Sequence, residues 1–80
     1  MAMGRQKALE ILNKQSKNVI GHLEKIAKEP TAPAVNHWKG EIRNFIRQME
    51  HTVPQVGKKT GEAWQKLIKA FQQILEGLDQ

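Results

Sequence analysis

Apolar residues return along this chain in three separate series, each stepping alternately by three and four. The first runs Leu9, Leu12, Val19, Leu23 and Ile26, with Ser16 at the missing step. The second runs Val35, Trp38, Ile42, Phe45 and Met49, and the third Trp64, Leu67, Phe71, Ile74 and Leu78. Such steps gather side chains on one stripe of an α-helix, because successive residues turn by about 100°. No segment sustains the alternation by two that marks a half-buried strand. The pattern predicts an all-α chain.

The breakers between the series agree with it. Glu29-Pro30-Thr31-Ala32-Pro33 ends the first series, since proline disfavours helical geometry in the residue before it. Thr31 is then placed to cap a second helix that takes Pro33 in its first turn. Thr52-Val53-Pro54-Gln55-Val56-Gly57 ends the second series, and Thr60 is placed to cap the third. The expected helices cover about 5–28, 33–51 and 61–78. Short connections favour antiparallel neighbours, hence an up-down-up three-helix bundle over one domain, 1–80. Phe71 falls at the centre of the third stripe and Gln72 off it.

Composition narrows the chemistry. A chain of 80 residues buries only about 60 to 65% of its unfolded surface, so its core is barely sufficient. There is no cysteine, which removes disulfides, zinc-thiolate sites and cysteine nucleophiles. The first residues carry charges through any apolar stretch, unlike a secretory signal, and no run approaches the roughly 20 apolar residues of a membrane span. The expectation is a soluble, cytoplasmic chain. A net charge of +5 leans toward polyanionic partners.

Chemistry is best sought in HWKGEIRNFIRQMEH, residues 37 to 51. Val35, Trp38, Ile42, Phe45, Ile46 and Met49 share one arc of about 100°, so the aromatic residues are expected to pack. His37 and His51 stand on the far side, separated by roughly 21 Å of helical rise, too far for one metal ion or reacting atom. His37 and Glu41 could supply half a metal site, but no third ligand has matching spacing. No metal and no cofactor is expected.

The basic residues offer more. Lys39, Arg43 and Arg47 step by four beside the second stripe, with Glu50 among them. Lys7, Lys14, Lys17, Lys25 and Lys28 share an arc of about 80° on the outer face of the first helix, interrupted by Glu10. Such a face could track phosphates, with Lys14, Lys17, Lys25, Lys39, Arg43 and Arg47 as the candidate polyanion contacts. It could equally be a solvated surface. Ile11 projects away from the first stripe and suggests a contact for a partner chain. The third helix has an apolar arc of about 140°, which two partner helices are expected to cover.

His22-Leu23-x-Lys25, Pro30, and then Trp38 with Ile42-Arg43 and Arg47 form a pattern over about half the chain. It resembles the bacterial domain-of-unknown-function family twenty-nine. The resemblance implies a bacterial helical bundle and supplies no chemistry.

Without a convergent catalytic set, the leading expectation is a non-catalytic helical module that binds another protein or itself, most simply as a dimer. The alternative is a nucleic-acid-binding module gripping phosphates without reading bases. A ribonuclease-like fragment using His37 or His51 as base and Lys39 or Arg43 for phosphate charge ranks third. No small-molecule substrate and no membrane partner is expected.

Overall fold

A computed structural model describes residues 4–78. Three helices, α1 (Arg5–Lys28), α2 (Val35–Thr52) and α3 (Lys58–Leu78), follow in order, with a single 3-10 turn at Val53–Gln55 before α3. Polar bridges fix the directions. Gln15 meets Gln48 and His22 meets Glu41, so α1 and α2 run antiparallel. Lys39 Nζ donates to the Leu78 carbonyl, which sets α3 antiparallel to α2. Arg5 Nη2 donates to Thr60 Oγ1, which sets α3 parallel to α1. The result is the expected up-down-up bundle, 42 × 20 × 16 Å.

The ends of the helices differ in detail from expectation. α1 has the predicted bounds. α2 starts two residues late: Thr31 does not cap it, and Ala34 stands at its N-cap without a side-chain bond. Two successive tight turns intervene, closed by Ala32 N–H to Glu29 O and Val35 N–H to Ala32 O, both 3.1 Å. The pair Pro30 and Pro33 spends those residues reversing the chain rather than starting the helix. α3 starts three residues early, so Thr60 lies inside its first turn. Gly57 sets up that start, at φ 89, a left-handed conformation that glycine adopts without strain.

The core is thin and unevenly shared. α1 packs along the length of α2, and Leu12, Val19, Ile42, Met49 and Val56 are fully enclosed. Ser16 and Thr52 are the buried polar residues, and their hydroxyls donate to the Asn13 and Gln48 carbonyls at 2.9 and 2.7 Å. Trp38 and Phe45 are half-buried against this core, as packing residues should be.

α3 departs from the predicted stripe. It sits closest to α2 and the 3-10 turn and approaches α1 less closely. Gly61, Ile68, Phe71 and Leu75 are buried, whereas Leu67 is 36% and Ile74 49% exposed. Gly61 explains the rotation. A Cβ there would come within 3.3 Å of Val53 Cγ1, so the absent side chain lets α3 settle on the turn. That contact brings residues 61, 68 and 75, seven apart, to the inside. Leu67 and Ile74 are left on the flank facing the gap between α3 and α1.

Two substitution pairs test the buried face of α3, and the second tests its rotation. Phe71→Ala should cost about 3 to 5 kcal/mol while Gln72→Ala costs little, and Ile68→Ala about 2 to 4 while Leu67→Ala costs under about 1. At about 4 to 8 °C per kcal/mol for a domain of this size, thermal melts resolve both pairs. Equal losses at 67 and 68 would contradict the observed face of α3.

Candidate functional site: a histidine-glutamate bridge and an open helical seam

The segment 37–51 joins a cluster that its own spacing does not contain. His22, brought in from α1, sets Nε2 against Glu41 Oε2, while His37, one turn before Glu41, sets Nε2 2.6 Å from Oε1. His22 Nδ1 donates to the Asn18 carbonyl at 3.0 Å, so its Nε2 needs a second proton to donate to the carboxylate. The ring also stands edge-on to Phe45, centroids 5.2 Å apart at 80°. Glu41 therefore ties α1 to α2 with one oxygen and steadies His37 with the other.

The third residue beside His37 and Glu41 thus exists, on another helix, although sequence spacing offered none. The carboxylate oxygens themselves occupy the point on which the imidazoles converge, and among the described residues no group is placed to hold a metal ion. His51 stands exposed at the other end of α2.

Glu41 has its carboxyl held below the ordinary glutamate value, chiefly by the His22 hydrogen bond. The charges of both imidazoles and the His37 bond add to this, and desolvation opposes it.

Of the candidate polyanion residues, Lys14, Lys17 and Lys25 are exposed on the outer arc of α1. Lys39, Arg43 and Arg47 lie on the flank of α2 nearer α3. Two of the six also serve the fold. Lys25 Nζ lies 6.0 Å from the Trp38 ring centroid. Lys39 Nζ reaches the last carbonyl of α3 at 3.1 Å, where a cation also complements the helix dipole.

The candidate contact Ile11 is half-buried along the edge of α1 nearer α2. The large apolar side chains left exposed are Ile20 at 44%, Leu67 and Ile74. The Arg5–Thr60 bond pairs residues 55 apart, so Ile20 on α1 stands about level with Ile74 on α3. All three border the α1/α3 seam. Helical periodicity had placed Leu67 and Ile74 inside, and Ile20 lies outside the predicted stripe of α1. A separate hollow of about 430 Å³ beside the 3-10 turn, lined by Val53, Gly57 and Gly61 among others, is open and gathers no converging polar groups.

No protein-family model, curated protein or solved structure matches this chain. Of the positions that carry the resemblance to family twenty-nine, His22, Leu23, Lys25, Trp38 and Ile42 all belong to the packing of α1 on α2. Among the described residues no helix is long and apolar enough to cross a membrane.

The Glu41 bridge predicts an acid dependence. A folded-state carboxyl below its ordinary value of 4.5 contributes stability above that pH and loses it as pH falls through the lowered value. The stability gap between the wild type and Glu41→Gln should therefore be open near about pH 5.5 and narrow as the pH is lowered below 4.5. Urea melts across that range check it, and a gap that ignores pH would contradict the bridge.

Proposed function

We propose that this chain is a non-catalytic helical interaction module that binds another protein along the α1/α3 seam. The observation that carries the reading is the exposure of Ile20, Leu67 and Ile74 on one side of a bundle whose core is otherwise sparing of apolar residues. Single exposed apolar residues are ordinary, but a bordered row of them marks contact surfaces. A non-catalytic reading is supported by the state of the histidines, since His22 and His37 are engaged with Glu41 rather than aimed at an open cleft.

A photo-crosslinking side chain placed at 67 or 74 tests the seam. Both sites should give discrete adducts in extracts of the source cells, and the same group at 69, on the opposite flank of α3, should give none. Adducts of equal strength at all three positions, or none at 67 and 74, would refute the seam as the binding surface.

A further inference from the structure

We infer that the occupant of the α1/α3 seam is an acidic amphipathic helix of a partner protein, lying along the trough as the fourth helix of a bundle. This rests on the seam being the binding surface and adds the chemistry of what it binds. Shape comes first. α1 and α3 run parallel, pinned at one end by Arg5 to Thr60, yet approach each other less closely than either approaches α2. Two parallel helices that approach each other less closely than their third neighbour leave an open side along which a fourth helix can lie, as in four-helix bundles. Leu67 and Ile74 are seven residues, two turns, apart, so they stand one above the other along the groove wall. Ile20 faces them from α1 at the level of Ile74. The exposed Ala63 and Ala70, next round the helix from this stripe, also repeat by seven and permit close approach of another backbone.

Charge selects the partner. The outer rim of α3 beside this stripe carries Lys59 and Lys66, again seven apart, and the carboxylates Glu62 and Glu76 lie further round the helix, beyond the lysines. The rim on α1 is mixed, with Lys17 near Glu10 and Glu24. A helix with an apolar stripe and glutamate or aspartate every seven residues along its α3-facing edge satisfies both rims. A second copy of this chain fits less well, because it brings a net charge of +5 and the same lysine rim to the contact. A lipid surface fits the charge but not the groove, which a flat surface cannot enter.

The test uses the full chain and two synthetic helical peptides of about three heptads, with identical apolar stripes. One carries glutamate and the other lysine at the flanking positions. The glutamate peptide should bind about tenfold more tightly, and Lys59→Glu with Lys66→Glu should erase or reverse that preference. Leu67→Glu should abolish binding of both peptides while the thermal melt stays near the wild type, since that side chain is exposed. Equal affinity for the two peptides, or a preference that survives the double charge reversal, overturns the inference. So does a chain that sediments as a dimer and excludes the peptides, or one that binds anionic vesicles and neither peptide. If crosslinks at 67 and 74 persist while peptide charge makes no difference, only the acidic helix is refuted. If crosslinks and peptide binding both fail, the seam itself falls with it.

Discussion

α3 carries more apolar surface than two neighbouring helices can cover. Its apolar arc of about 140° holds three heptad-spaced rows, Gly61-Ile68-Leu75, Trp64-Phe71-Leu78 and Leu67-Ile74. The first two turn to the core and the third does not. Gly61, on the first row, lies against the preceding turn, where a Cβ would stand 3.3 Å from Val53 Cγ1. With that row turned inward, the third is left on the flank. The thin core, the parallel but loosely apposed α1 and α3, and the apolar seam between them all follow from it.

α1 and α2 do not share this ambiguity. Their stripes are narrow, each matches the other's length, and the double turn at 29–34 sets their register. Leu12, Val19, Ile42 and Met49 then interlock at full burial, and the edge nearest the turn is closed by His22, Glu41, Trp38 and Lys25. The hairpin is thus held by apolar packing through its middle and by an ionic and aromatic edge. That edge is where acid should be felt first, while α3 is held by apolar contact together with bonds to Arg5 and Lys39.

How much of this was legible in the sequence follows from which forces are local. Helix number, order and approximate bounds were legible, because three-four spacing and proline act within a few residues. The capping roles of Thr31 and Thr60 were misread, because the turns consumed more residues at one end and fewer at the other. The face of α3 was half legible: periodicity gave the arc, but the buried half depends on Gly61 against a turn eight residues earlier. The union of His22 with Glu41 was not legible, since a separation of 19 residues becomes a contact only through the register of the hairpin. Periodicity within one helix placed the basic candidates on α1 and on α2 as two surfaces. The exposure of Ile20, Leu67 and Ile74, by contrast, appears only once the helices are assembled.

The uncovered row on α3 is the claim from which the rest descends, and the absence of cysteine makes it directly measurable. Single cysteines placed at 67, 68, 74 and 75 can be labelled with a thiol reagent under native conditions. The rotation of α3 predicts labelling at 67 and 74 that is at least about tenfold faster than at 68 and 75, which should be strongly protected. Protection at 67 and 74 with fast labelling at 68 and 75 would show that α3 buries its other row, and the open seam would not exist.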